Sequence, residues 1–325
     1  MADLINNYKL IKPFQNENAG FSRWTMAMKR GTIYFLKEFM DPIYPDENSL
    51  EETLRKTRIR ECEDFEAKKC KLYKAINKVS DGNLIRITEF FRGDSHYYLT
   101  TEWVDHSNMS FTEIAGMDMR EKLFLCRTAA HSLDALHSIN IVHSDIKETN
   151  VLVHKSKGGR LVAKIIDYDS GFFEDCPPDN EDDLGGDQVY LSPEACLYLC
   201  GENVRLTCKM DVFAMGLLFY QYMTGNLPNF DRKKYSYAYE AVLDDVVLKA
   251  DSENIPLPVR EIIENMLLKD AEKRISAKEV YFLMTDYYDS LFPSKKKLMD
   301  ENSNWSKYYR GSDRLKMSKE FFKTE

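Results

Sequence analysis

The apolar residues of this chain change their spacing near residue 110, and that change limits the fold more than any other feature. Before it, short runs rich in aromatic and β-branched residues cover Tyr8–Phe14, Trp24–Met28, Thr32–Phe39, Leu84–Phe91 and His96–Val104. Arg30-Gly31, Asp81-Gly82-Asn83 and Gly93-Asp94 separate them as turns, the pattern of an antiparallel sheet. One stretch differs: from Glu51 to Asn77, Cys62, Phe65, Cys70, Tyr73 and Ile76 recur at helical spacing between charged residues. Beyond residue 110, Leu123, Cys126, Ala130, Leu133 and His137 share one face of a helix ending near Ser138. Two short β segments, Val151–His154 and Val162–Ile166, flank the Gly158-Gly159 turn. Met210–Met223 is apolar nearly all round, as a helix at the centre of a lobe must be. Further helices fit Val259–Leu268 and Ala277–Met284. The expectation is an α+β chain of two lobes. Residues 1–104 form a small, mostly antiparallel lobe with one main helix, 105–292 a larger, mostly helical lobe, and 293–325 a polar tail.

A chain of 325 residues with 43% hydrophobic side chains can bury a core of that size. Its net charge of −8, from 45 basic and 53 acidic side chains, argues against a dedicated nucleic-acid binder. The cysteines number seven and form no C-x-x-C pair, so neither a disulfide framework nor a zinc site is indicated. Met1–Asn7 lacks the basic region and apolar run of a signal peptide. Met210–Met223 is too short to span a membrane, and Asp211 and Gln221 interrupt it. A soluble, cytoplasmic protein with no nucleic acid or membrane partner is expected.

Residues 141–150 read I-V-H-S-D-I-K-E-T-N, which puts Asp145, Lys147 and Asn150 in one loop just before a short strand. Phosphoryl transfer to a hydroxyl needs a carboxylate for the hydroxyl proton, a cation near the γ-phosphate and an oxygen ligand for a metal. This loop carries all three. The bland alternative is a polar loop whose residues cap a helix.

The segment resembles the protein-kinase catalytic loop H-R-D-L-K-x-x-N, with Ser144 in place of the arginine. The resemblance runs from about Tyr8 to Leu291 and implies the bilobal kinase fold, with Asp145 and Lys147 catalytic and Asn150 a metal ligand. Lys147 points to the serine/threonine class. Lys164-Ile165-Ile166-Asp167-Tyr168-Asp169 is similar to the D-F-G motif, which implies that Asp167 holds Mg2+ against ATP. Asp169 stands where the motif has glycine. Leu191-Ser192-Pro193-Glu194 looks like the A-P-E motif, and Arg274 fits the position of its arginine partner. Asp211–Gly216 resembles the start of the family's central helix, where Asp211 would brace the catalytic loop.

In the first lobe, Lys37 fits the strand lysine that holds the α- and β-phosphates, and Glu66 is the expected ion-pair partner, ahead of Glu63. The spacing between Lys37 and Glu66 implies an insertion across Asp41–Arg60. Gly20 is the single glycine between Phe14 and Trp24, where the family has a glycine-rich loop. Thr101 matches the gatekeeper, and the Glu102–Val104 backbone is expected at the adenine edge.

Together these imply a serine/threonine protein kinase using ATP and Mg2+ on a protein substrate. The acidic run Glu174–Asp183 reads first as a solvated loop, and as a recognition surface it would favour basic substrates by long-range attraction. With Ser144 replacing the arginine, and no Ser, Thr or Tyr between Gly171 and Asp187, activity is expected without activation-segment phosphorylation. Asp187, where the family has threonine, is expected to pair with Lys147. Two other functions stay open: a pseudokinase acting as a nucleotide-binding or scaffolding module, and a small-molecule phosphotransferase of related fold.

Overall fold

The alternating runs of the first hundred residues form one antiparallel sheet in the structure, a computed structural model that describes residues 4–16, 22–46, 51–80, 82–105, 109–179 and 184–293. Its strands are β1 (Leu4–Ile5), β2 (Tyr8–Leu10), β3 (Ser22–Lys29), β4 (Thr32–Phe39), β5 (Ile87–Gly93) and β6 (His96–Glu102). They lie in the order β1-β2-β3-β4-β6-β5. The run Tyr8–Phe14 breaks its ladder around Pro13, which has no amide to donate, and Gln15 then pairs with Trp24 again. Leu84 and Ile85 also leave it. They run beside Ile165 instead, with the Ile85 amide 2.9 Å from the Ile165 carbonyl.

Directly paired residues share a face of the sheet. Trp24, Lys37, Leu99 and Phe90 therefore lie on one face with Met26, Phe35 and Thr101. The other face buries Tyr8, Ala27, Leu36 and Tyr98 as its own small core. Against the Lys37 face packs α1 (Glu52–Val79), a helix of 28 residues. Phe65 and Tyr73 of α1 meet Phe39, Phe90 and Tyr97 of the strands at centroid separations of 5.2–6.1 Å. Part of the extra length between Lys37 and this helix is thus helix itself, since Glu52–Arg60 belongs to α1.

The rest is mainly helical, as its periodicity requires. The helices are α2 (Phe111–Ala115), α3 (Met119–His137), α4 (Pro193–Leu199), α5 (Lys209–Thr224), α6 (Ala238–Leu243), α7 (Leu257–Met266) and α8 (Ala277–Leu291). Two-stranded pairs join β7 (Ile141–Val142) to β10 (Phe172–Phe173), and β8 (Val151–Lys155) to β9 (Leu161–Ile165). Every residue of α5 from Met210 to Met223 is buried. Gly216 is what lets α7 close on it: a Cβ there would stand 2.9 Å from the Met266 side chain. α4 starts where Ser192 caps the Ala195 amide and Pro193 takes the first helical position, so the S-P-E run is a helix start. The chain divides into two units, Met1–Thr285 and Asp286–Glu325. In the second, Tyr288 lies against Phe292 with ring centroids 5.1 Å apart. All seven cysteines are free thiols. Among the described residues no helix is long and apolar enough to cross a membrane.

Candidate active site

The loop between β7 and β8 brings its three polar residues together. Asp145 Oδ2 lies 2.8 Å from Lys147 Nζ and accepts from Asn150 Nδ2 at 2.8 Å. The other carboxylate oxygen, Oδ1, is buried and has no hydrogen-bond partner. The exposed part of the Asp145 side chain therefore excludes Oδ1, and a carboxylate flanked by a lysine and an amide is a group that can orient an incoming hydroxyl. The loop is held from below by Asp211 at the start of α5. Its carboxylate accepts from the His143 amide at 2.7 Å, the Ser144 amide at 2.8 Å and His137 Nε2 at 2.9 Å. These bonds steady Ser144 at φ 70°, a left-handed backbone that non-glycine residues adopt only under constraint. Replacing Asp211 by Ala should strand two buried amides. We expect a loss of at least about 2–3 kcal/mol, read from the urea midpoint, together with a fall in any catalytic rate.

Lys37 and Asp167 also meet, at 3.0 Å through both carboxylate oxygens. Asp169 joins them, with Oδ2 2.6 Å from Lys37 Nζ. Burial alone would lower the pKa of the Lys37 ammonium, but Asp169 and Asp167 outweigh it and hold the ammonium above its usual value. Burial also pushes the Asp167 carboxyl upward, yet the Lys37 charge and hydrogen bond leave it below its usual value. At Asp169 burial wins, and the carboxyl is raised. Asp169 has no left-handed backbone angle, so it occupies the glycine position of the motif without strain, whereas Asp167 sits at φ 61°.

The expected Lys37–Glu66 pair is not formed. Glu66 is exposed on α1, and its carboxylate bears on the Tyr97 hydroxyl instead. The reason is rotation: Phe65 and Tyr73 define the buried stripe of α1, and the residue on that stripe between them is Lys69, not Glu66. Glu63 is exposed as well. Lys69 Nζ donates to the Asp169 backbone carbonyl, and burial lowers its pKa. Sequence reasoning missed both Lys69 and Asp169 as parts of this cluster. The signal for Lys69 was its place four residues from each of the two aromatic anchors.

Thr101 is buried on the Lys37 face. Glu102 donates its amide to the Arg86 carbonyl at 3.2 Å and accepts from Lys164 Nζ at 2.7 Å, which fixes the end of β6 where the chain passes through Val104. Gly20 lies outside the described residues. A hard divalent cation suits the oxygens available: the Asp167 carboxylate and the amide oxygen of Asn150, whose nitrogen is committed to Asp145.

The segment after Asp169 returns to the catalytic loop through Ser144, whose hydroxyl donates to the Gly185 carbonyl at 2.9 Å. Gly185 must be glycine, since a Cβ there would fall 1.9 Å from Ser170 Oγ. The expected Asp187–Lys147 pair is absent. Lys147 takes Asp145, and the Asp187 carboxylate accepts from the nearby Val189 amide at 2.9 Å. A carboxylate two residues from a free amide closes that local turn more readily than it reaches across the cleft. Farther on, Glu194 and Arg274 form a doubly hydrogen-bonded pair at 2.6 and 3.1 Å.

Comparison with known proteins agrees with this geometry. The family model described as protein kinase domain matches residues 52–283. The chain is 26% identical over 229 residues to MAP kinase-interacting serine/threonine-protein kinase 2 of Xenopus laevis, covering 61% of this chain and 48% of that protein. It is 25% identical over 233 residues to serine/threonine-protein kinase ULK3 of Mus musculus, covering 66% and 47%. With the Aurora kinase of Schizosaccharomyces pombe it shares 28% over 205 residues, covering 61% and 53%. The chain thus spans about half the length of these relatives.

Proposed function

The chain belongs to the protein kinase family, and we propose that it is an active serine/threonine kinase that moves the γ-phosphate of MgATP to a protein hydroxyl. The carrying observation is Asp145, on which Lys147 and Asn150 converge at Oδ2, in a loop that Asp211 pins by two main-chain amides. MgATP, once bound, supplies the phosphoryl group and a divalent charge to offset its oxygens. The Asp145 carboxylate accepts the proton of the incoming hydroxyl. Lys147, already beside Asp145, adds positive charge where the γ-phosphate must pass. Lys37 is the cation for the inner phosphates, and Asp167 with Asn150 are the metal ligands. Thr101 and the Glu102–Val104 backbone border the base, and Gly20 is the glycine assigned to the phosphates. Basic proteins are the favoured substrates, given the acidic residues near Glu174, and the cytoplasm is the expected setting.

The same reading holds that no phosphate is needed on the activation segment. Ser144 stands where the family's arginine would await one, and its hydroxyl ties directly to Gly185. The test is transfer of labelled phosphate from MgATP to a generic basic protein, after phosphatase treatment of the enzyme. Full activity is expected after that treatment. Ser144→Ala should lower it about fivefold, the value of one neutral hydrogen bond of about 1 kcal/mol. Dependence on a phosphate within Ser170–Asp187 would overturn this part.

One observation favours a second reading, a nucleotide-binding or scaffolding module without transfer. Trp24 stacks on Phe35 at 5.4 Å, and the register puts both on the Lys37 face, where bulky rings reduce the room for a base. Failure to transfer phosphate with either Mg2+ or Mn2+ would select it. A small-molecule phosphotransferase is disfavoured by the Glu194–Arg274 pair, which braces a platform suited to a protein substrate.

A further inference from the structure

The helix that packs over the cleft offers Lys37 a cation, not an anion. α1 turns Lys69 and Tyr73 inward, and both engage Asp169: Lys69 Nζ at its carbonyl, and the Tyr73 hydroxyl 3.5 Å from Oδ1. Asp169 Oδ2 is in turn 2.6 Å from Lys37 Nζ. We propose that Asp169 is the positioning carboxylate of Lys37, and that α1 acts on the nucleotide cleft through Lys69 and Tyr73 gripping Asp169. This rests on the reading of Lys37 as the phosphate-binding lysine.

Three observations carry it. Lys37 is almost wholly buried, so its ammonium requires a carboxylate partner at all times. Asp167 is a partner now, but a carboxylate that takes a divalent cation has less charge to share with a lysine. Asp169 is the nearer carboxylate, 2.6 Å from Lys37 Nζ against 3.0 Å for Asp167, and would remain to Lys37 if Asp167 turned to metal. Finally, two cations, Lys37 and Lys69, face two anions, Asp167 and Asp169, so the cluster balances without any glutamate from α1. Moving α1 outward would withdraw Lys69 and Tyr73 and leave Asp169 free to release Lys37.

A thermodynamic cycle tests the pairing without requiring any activity. Melting temperatures are measured for wild type, Asp169→Asn, Lys37→Met and the double variant. The loss from Asp169→Asn should shrink to about half or less once Lys37 is gone, because contacting residues are not additive. Additive losses would overturn the pairing. MgATP affinity, measured by calorimetry, then tests the positioning role. Asp169→Asn should weaken it about tenfold, the effect of losing one charge-assisted contact. Glu66→Ala weakening it as much would return the role to the helix glutamate and overturn the proposal. Recovery of Asp169→Asn by excess Mg2+ would make Asp169 a metal ligand instead, and also overturn it. The decisive variant transfers the carboxylate to the helix. Asp169→Gly and Lys69→Glu should each be impaired alone, while together they restore affinity to within about threefold of wild type. If wild type binds no MgATP, the kinase reading fails, and the melting cycle still decides whether Asp169 holds Lys37.

Discussion

Asp145→Asn lowers the rate of phosphoryl transfer about 10²–10⁴-fold while leaving MgATP affinity within about threefold of wild type. The substitution keeps the shape of the side chain and removes the charge that would make the carboxylate a proton acceptor. An amide can still accept or donate one hydrogen bond, so the loop need not move. The main-chain hold on this segment is independent of Asp145: Asp211 carries His143 and Ser144, and Asn150 Nδ2 also donates to the Asp145 backbone carbonyl at 2.8 Å. What is lost is the ion pair to Lys147, whose side chain is partly exposed, and the basicity of the carboxylate. The pattern separates roles, because Asp167→Asn should act differently. There the metal requirement rises, and part of the lost rate returns with more Mg2+. A variant of Asp145 that retained more than about a tenth of the rate would remove it from the proton path.

The convergence of Asp145, Lys147 and Asn150 was legible because the three residues lie in one short loop, where spacing in sequence nearly fixes spacing in space. Glu194 and Arg274 were found across a longer gap only through the motifs that surround them. The partner of Lys37 was not found. It depends on the rotation of α1, a few tens of degrees that no single residue reveals, and on which carboxylate the D-Y-D turn aims inward. A lysine on a buried stripe ordinarily reads as a stem that snorkels to water, so its type alone gave no signal of a buried contact. Asp169 was read as a lost glycine, when its side chain is the nearer of the two carboxylates at Lys37. In the fold, the long elements followed their periodicity: β4 covers the expected Thr32–Phe39, and α5 extends the expected Met210–Met223 by one residue at each end. The short ones did not, since α4 with 7 residues and α6 with 6 complete too few turns to show a helical period. Leu84 and Ile85 read as strand and are strand-like, but their partner is Ile165, and only the assembled fold can say so.

Arg274→Ala destabilises the protein by about 3–5 kcal/mol, because it leaves a buried carboxylate without its cation. Arg274 is fully buried. Besides the two bonds to Glu194, its guanidinium donates to the carbonyls of Lys209 at 2.7 Å and Leu268 at 2.8 and 3.0 Å, and it lies 5.1 Å from the Phe213 ring. Glu194 opens α4, Lys209 opens α5, and Leu268 follows α7, so one side chain joins three helical segments. At about 2–4 °C per kcal/mol for a domain of this size, the melting temperature should fall by roughly 10 °C. Arg274→Lys should recover little, since an ammonium cannot match a carboxylate and two carbonyls in one plane. The informative control removes both charges, as Glu194→Leu with Arg274→Met. If the ion pair were the whole story, an apolar replacement of similar volume would restore stability nearly to wild type. The carbonyls of Lys209 and Leu268 predict otherwise: they lose their donors in the double variant as well, so a deficit of about 1–3 kcal/mol should remain. A melting temperature within about 2 °C of wild type for Arg274→Ala would show that the platform does not depend on this contact.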